Sequence, residues 1–297
     1  MKPIRVSRVR RTSHLRSFLG DIIVQRMGER ARRLQLPRMA IFAHDEIGDW
    51  VVIDGRYEAD ILDAITGWLV PRALPEHRLM TALDIGANIG NHTLAFAPVF
   101  ARVLAFEPNP IALHLLRANV EINQLRNVEI VPFALGSVDE TQHYRVVLGN
   151  LGASHFVASS DGDANPQVLD VRQGDQFLRE YYKHGHRIGL VKLDVEGMEA
   201  TVFEGLTQTL ERHKPIVLFE AITSGECKRS VSILCDLGYE QFFTLERYTS
   251  TSASTAVKAF LRLFYGADVL LAPLHFGEEG SHSLVIATTS AGWLPQN

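Results

Sequence analysis

The sequence predicts an α/β fold: a doubly wound, seven-stranded, mostly parallel sheet preceded by an N-terminal helical extension. Three observations carry that prediction. An apolar strand pattern, Leu83-Asp84-Ile85, runs into a glycine-rich turn, a helical pattern and a second strand, Val103 to Phe106, that ends on Glu107. Strand, turn, helix, strand and terminal acid, in that order, is how a mononucleotide-binding half-fold begins. From there strand and helix patterns alternate, which implies a parallel sheet covered by helices on both faces. The 297 residues, 46% hydrophobic and 22% charged, suffice to bury one large core.

The elements follow in order. Residues 1–38 hold 11 Lys and Arg against 2 Asp and Glu, in a chain of net charge −4, so a basic arm precedes an acidic body. Leu15, Phe18, Leu19, Ile22, Ile23 and Met27 recur at helical spacing, with Arg26, Arg30, Arg32 and Arg33 elsewhere on the turn; this is an amphipathic helix. Such a helix caps the sheet or lines a dimer contact, and its sharper use is peripheral attachment to anionic lipid or a lipid-linked substrate. Residues 1–56 are read as this arm and residues 57–297 as the α/β domain. Tyr57 to Val70 reads as a helix with Ile61, Leu62, Ile65, Trp68 and Leu69 on one side.

The first three strands are expected at Met80 to Ile85, Arg102 to Phe106 and Val128 to Phe133. The helix Pro110 to Asn123 opens on proline, which has no amide to lose in a first turn. Between about 137 and 174 the pattern breaks into short alternating runs, His143 to Leu148 and Val168 to Val171, around the polar stretch Ser159 to Asp163. An inserted hairpin is expected there. Strands Gly189 to Val195 and Pro215 to Ala221, joined by a helix Met198 to Arg212, resume the parallel sheet. A helix Cys227 to Leu237, a strand Tyr239 to Thr244, a helical insertion Ala256 to Ala272 and a last strand Ser283 to Thr289 complete it.

Several function classes are disfavoured. Cys227 and Cys235 lie about 12 Å apart along one helix axis, too far for a disulfide, and no Cys/His spacing marks a zinc site. No apolar run approaches the roughly 20 residues that cross a bilayer, and no charged-then-apolar leader ends in a cleavage site, so a cytoplasmic location is expected. Nucleic acid is not an expected partner, because the acidic body repels phosphates. Nothing in the sequence sets an oligomeric state.

The glycine turn narrows the chemistry. Gly86 and Gly90 let the backbone turn sharply and approach a ligand, Asn91 or Thr93 can satisfy the first helical amides, and Glu107, 23 positions after Asp84, offers two acceptors to a ribose diol. A nicotinamide oxidoreductase and a methyltransferase would both use such a site. A pyrophosphate wants Gly-x-Gly-x-x-Gly, whereas Asn88 stands here where the second glycine would be. S-adenosylmethionine brings no pyrophosphate and tolerates Asn88 as a polar contact. An NAD(P)-dependent oxidoreductase, or a nucleotide-binding module without turnover, is the competing reading.

The segments Asp84-Ile85-Gly86-Ala87-Asn88-Ile89-Gly90, Phe106-Glu107-Pro108 and Val191-Lys192-Leu193-Asp194-Val195-Glu196-Gly197-Met198-Glu199 resemble the signature blocks of FkbM-family S-adenosylmethionine-dependent O-methyltransferases. Phe133-Ala134-Leu135-Gly136, Asn150 with Gly152-Ala153-Ser154, and Pro215 to Glu220 support the resemblance, which covers about residues 80 to 222. It implies a Rossmann-like class I methyltransferase fold, S-adenosyl-L-methionine as cofactor, and a hydroxyl acceptor on a sugar of a glycan, glycolipid or natural product.

Candidate site residues follow from this frame. The cofactor set is Asp84, Gly86, Asn88, Gly90, Asn91, Thr93, Glu107 and Asp194, with adenine past the third strand near Phe133, Ala134 and Leu135 and an edge contact from Ser137. An alcohol is a weak nucleophile until a general base takes its proton, and Asp194 and Glu196 are expected to act there. Strand alternation places Lys192, Asp194 and Glu196 on one side. Lys192 could simply pair with Asp194 while Glu196 and Glu199 cap the next helix. Glu220 falls at a strand end on the same rim, and Asp194, Glu196 and Glu220 are the carboxylates that a Mg²⁺ dependence would use. Among the 12 histidines, including His92, His275 and His282, His155 is the favoured catalytic candidate, with Ser154 and Asn150 as acceptor-side contacts.

Overall fold

The computed structural model describes residues 22, 24–147, 151–157, 167–181, 187–221, 223–248, 268–274 and 283–294. Leu15, Phe18, Leu19, Ile23, Asn150, the Ser159 to Asp163 stretch, His275, His282 and most of the expected Ala256 to Ala272 helix lie outside these residues. The chain enters through helix α1 (residues 24–33) and α2 (Glu46–Asp54), then α3 (Ala59–Asp63), which widens into a π-helical turn over Ala64–Leu69 and ends in α4 (Val70–Ala73). Pro71 sits in the first turn of α4, where its missing amide costs least. The first βαβαβ unit follows as β1 (Thr81–Ile85), α5 (Asn91–Phe96), β2 (Arg102–Phe106), α6 (Pro110–Ile122) and β3 (Val128–Val131).

β4 (Ala134–Gly136), β5 (Glu140–Arg145), β6 (His155–Val157) and β7 (Gln167–Gln173) form a separate four-stranded sheet in the order β4-β7-β5-β6. The expected two-stranded insertion is thus a three-stranded one anchored on β4. The chain then returns through α7 (Gly174–Tyr181), β8 (Ile188–Leu193), α8 (Glu199–Gly205), α9 (Thr207–His213), β9 (Ile216–Ala221), α10 (Ser224–Asp236), β10 (Gln241–Tyr248), β11 (Asp268–Pro273) and β12 (Ser283–Thr288). The single expected helix over Met198 to Arg212 is split at Gly205. A Cβ there would stand 1.9 Å from the Gly136 carbonyl oxygen, so only glycine lets α8 meet the second sheet.

The main sheet has eight strands, in the order β11-β10-β12-β9-β8-β1-β2-β3. β3, β2, β1, β8 and β9 are mutually parallel, and β12 pairs antiparallel with both β9 and β10. The eighth strand, β11, corrects the expected helical insertion over its last residues. It pairs antiparallel with β10 from Phe243↔Pro273 to Tyr248↔Asp268, so Leu271 faces Leu245 and Val269 faces Arg247 across the ladder. Hydrophobic cores cover both faces of the sheet, and all six residues of β8 are buried. Two asparagines one turn apart, Asn119 on α6 and Asn123 at its C-cap, fasten the N-terminal segment to this domain. Asn119 exchanges hydrogen bonds with the backbone of Ala40 and Asn123 with that of Arg38.

Candidate active site

A cavity of about 430 Å³ opens at the carboxyl ends of β1, β2, β8 and β9, where ligands gather in doubly wound sheets. Its floor is the turn after β1. A Cβ on Gly86, whose φ is +78°, would lie 1.8 Å from the Asp194 carbonyl oxygen, so glycine is required where β1 and β8 converge. Asn88 adopts φ +50°, a left-handed conformation that asparagine tolerates better than most residues. That turn aims the Asn88 amide at Glu107 Oε2 (2.7 Å), while the Asn109 amide donates to Glu107 Oε1 (2.7 Å). Burial pushes the Glu107 carboxyl up to about 7, against the pull of these two amides. Each oxygen keeps lone-pair capacity for a further donor. Asn88 Oδ1 is also buried without a hydrogen-bond partner.

Beneath the floor lies one buried cation. Lys192 is 2% exposed, and its Nζ donates to the Gly86 carbonyl (3.1 Å) and Asp194 Oδ2 (3.2 Å) and pairs with Asp84 Oδ1 (3.5 Å). Thr93 Oγ1 donates to the other Asp84 oxygen at 2.5 Å. Burial alone would lower the lysine's proton affinity, but Asp194, Asp84 and Glu220 outweigh it and raise it. Lys192 therefore stays charged and ties the β1 turn to the end of β8. Past Leu193 the backbone leaves the strand through Glu196 (φ +52°) and Gly197 (φ +97°), and Glu199 Oε1 accepts from the amides of Val195 and Gly197, both at 3.3 Å. The Lys192–Asp194 pair and the Glu199 cap are both present. Glu196 instead faces the cavity, where burial and Asp194 push it up to about 7.

The opposite wall is assembled from distant segments. Asn91 Oδ1 accepts from the Tyr57 amide (3.1 Å) and its Nδ2 donates to the Tyr57 carbonyl (3.0 Å), which presents Tyr57 and Glu58 to the cavity. Arg247 from β10 binds Asp60 through two bonds of 2.5 and 2.8 Å and reaches Glu58 at 3.8 Å. From the second sheet, Tyr144 donates to the Ser154 carbonyl (3.1 Å) and packs edge-on to Phe156, with ring centroids 4.9 Å apart. Glu220, at the end of β9, closes the rim, and burial followed by Asp194 pushes its carboxyl up to about 8.

Of the residues expected from sequence, Gly86, Asn88, Glu107, Ala134, Asp194, Glu196 and Glu220 line the cavity. Asp84 and Thr93 stand behind it as supports. Gly90 packs where a Cβ would meet Leu116 at 2.7 Å, and Asn91 serves Tyr57. Leu135 points into the core, and Ser137 lies beyond β4 beside Gly205, so neither lines the cavity. His155 is turned away from it as well. Alternation along β6 gives Ser154 and Phe156 the cavity side, and the His155 ring instead meets the Ala153 carbonyl at 2.9 Å. His92 is pushed down to about 3 by burial, then by Lys192, and is neutral at ordinary pH. Asp194, Glu196 and Glu220 do not assemble a metal cage; among the described residues no group of three or more His, Cys, Asp or Glu could hold a metal ion. Sequence reasoning missed Tyr57, Glu58, Tyr144, Phe156 and Asn109. Only Asn109 left a signal, as an N-cap before the helix-opening Pro110.

Fold and site together define an α/β domain whose cavity, at the strand ends, is faced by a buried, amide-bound carboxylate. A family model described as the methyltransferase FkbM domain matches residues 84–240, just over half of the chain. The chain belongs to the FkbM methyltransferase family. Methyltransferase 1 of Beauveria bassiana (strain ARSEF 2860) is 28% identical over 143 residues, 42% of this chain and 57% of that protein. Methyltransferase sdnD of Sordaria araneosa is 28% identical over 155 residues, 42% of this chain and 60% of that protein. The chain thus spans less than two thirds of the length of these curated relatives. A solved methyltransferase FkbM from Methylobacillus flagellatus KT aligns at 18% identity over 66% of this chain and 43% of that one, with a TM-score of 0.39. Among the described residues no helix is long and apolar enough to cross a membrane.

Proposed function

We propose that this protein transfers a methyl group from S-adenosyl-L-methionine to a hydroxyl of a small-molecule acceptor, a sugar of a glycan, glycolipid or natural product. The observation that carries the reading is Glu107, buried, held by two main-chain amides and turned to the cavity with acceptor capacity to spare. That arrangement fits a ribose diol. The unpartnered Asn88 Oδ1 fits a second polar group of the same ligand. The cofactor supplies an electrophilic methyl on a sulfonium. Everything else falls to the protein.

Phe106 and Ala134 give an apolar surface for a purine, and Asp194 and Glu196 face the cavity where an ammonium group would be attracted. Glu196 and Glu220, pushed up by burial, recover their charge when a cation enters, so the acidic cavity favours the sulfonium and ammonium groups of the cofactor. Glu220, across from this floor, accepts the acceptor's hydroxyl proton as the hydroxyl oxygen takes the methyl group and the sulfonium's C–S bond breaks, leaving the neutral thioether. A base so placed is worth about 10²–10⁴-fold. Tyr57, Tyr144 and Phe156 narrow the space beside it and align the acceptor, which contributes the larger part of such rate gains.

Calorimetric titration with S-adenosylmethionine, S-adenosylhomocysteine and NAD, with and without Mg²⁺, tests the reading. Binding of the two adenosyl amino acids, without NAD and without a Mg²⁺ requirement, is expected. Binding of NAD alone would overturn it.

A further inference from the structure

The N-terminal helices carry a surface that the catalytic cavity does not use. Twelve large hydrophobic side chains are exposed among the described residues, and seven of them fall between Ile22 and Ile53. Val24 is 67% exposed, Val52 and Ile53 52% each, and Trp50 47%. A groove of about 370 Å³ runs between α1 and α2, with Val24, Met27 and Ala31 on one side and Val51, Val52 and Ile53 on the other. Positions 24, 27 and 31 form the apolar stripe of α1. Arg30 ties the helix to α2, pairing with Asp54 at 3.1 Å. The amphipathic helix therefore stands on α2 with its apolar stripe opening on a groove. Contiguous apolar surface of this kind marks an interaction site.

Charge chooses the partner. Residues 1–38 carry 11 Lys and Arg against 2 Asp and Glu; Arg26, Arg32 and Arg33 are exposed on α1, and of the acids of α2, Glu46 and Asp49 lie in its first turn, ahead of Val52 and Ile53, while Asp54 pairs with Arg30. A second copy of the chain would bring two such basic N-terminal segments together. An anionic bilayer offers the opposite charge, an apolar layer for Val24, Val52 and Ile53, and the interfacial depth that tryptophan prefers. We propose that the α1–α2 face docks on an anionic lipid surface. The same nine-residue helix α2, about 14 Å long, places Glu46 and Ile47 in the catalytic cavity and Val51 to Ile53 in the groove. Docking therefore sets the cavity within one helix length of the lipid headgroups.

Co-sedimentation of the full chain with equimolar phosphatidylglycerol–phosphatidylcholine vesicles, against pure phosphatidylcholine, tests this. The protein should pellet with the anionic vesicles at about 0.1 M salt, stay in solution with the neutral ones, and be released at about 1 M salt. Val52→Ser/Ile53→Ser should lose most of the binding, and each of Arg26→Gln, Arg32→Gln and Arg33→Gln should lower partitioning about fivefold. In the unaltered protein, anionic vesicles should shift tryptophan emission to the blue, a shift that Trp50→Phe removes. Equal recovery with both lipids, or none with either, would overturn the proposal. So would a dimer in sedimentation velocity that Val52→Ser/Ile53→Ser dissociates while vesicles bind nothing, since the face would then belong to a second copy.

Discussion

The floor of the cavity, built around Glu107, and the wall that presents Tyr57 face one another across the same space, but the chain builds them by opposite means. The floor comes from one stretch, Asp84 to Asn109, and its main contacts are main-chain amides and short-range turns. The wall joins Tyr57, Tyr144, Ser154 and Glu220, which are far apart in sequence and meet only through side-chain clamps such as Asn91 on Tyr57. A site made by a local motif keeps its geometry wherever the motif folds. One made by long-range clamps can change what it admits by changing a few side chains, and leaves the floor untouched.

The largest expected effect comes from removing the cation beneath the floor. Lys192→Met leaves Asp84 fully buried opposite no cation, and breaking a buried pair in this way costs about 3–5 kcal/mol. Thermal unfolding should register a fall of that size, and adding Asp84→Asn should recover part of it. An unchanged melting temperature would mean that the β1 turn is held by other contacts.

Next in size, Asn91→Ala separates floor from wall. It removes two hydrogen bonds to the Tyr57 backbone, worth about 1–3 kcal/mol together, while the Glu107 carboxylate and its two amides remain. Stability should fall by that amount and S-adenosylmethionine affinity should stay within a few-fold of the parent. Affinity that collapses with Asn91 would join the two regions into one.

The legibility of the sequence divides along the same line. Gly86, Asn88 and Glu107 could be placed from spacing alone, because the turn that joins them is local. Lys192 was visible as a charge inside an apolar strand, and its pairing with Asp194 was one of two readings, whereas Asp84 and the Gly86 carbonyl as further partners were not legible. Tyr57 and Glu58 carried no signal, since nothing near them in sequence says that Asn91 will hold them. His155 was misplaced by one step of strand alternation, a position that only the pairing of β6 with β5 decides. The last residues of the expected helical insertion form β11 because an apolar run is ambiguous between the two periodicities, and the register with β10 settles it.

Protonation gives a smaller effect that sharpens the comparison. Glu107 and Glu196 sit at about 7 and Glu220 at about 8, all above the usual 4.5 for a glutamate. Groups raised on folding lend stability that is fully present below the unfolded value and is lost as pH rises through the folded one. The melting temperature of the ligand-free protein should therefore drop between about pH 5 and pH 8. Affinity for the cationic cofactor should rise over the same window as these carboxylates ionise. A flat or inverted profile would mean that these carboxylates do not govern the cavity. Smallest of all, Ser137→Ala and His155→Gln, both outside the lining, should leave cofactor affinity within about twofold, well under the roughly 1 kcal/mol of a direct hydrogen bond.

The measurement that tests the central claim most directly is calorimetric titration of Glu107→Ala with S-adenosylmethionine, beside the unaltered protein. Two charge-assisted hydrogen bonds to a ribose diol are worth about 3–6 kcal/mol, so a loss of at least about 100-fold in affinity is predicted, with near-native circular dichroism. Affinity within a few-fold of the parent would contradict the account and take the cofactor away from this floor.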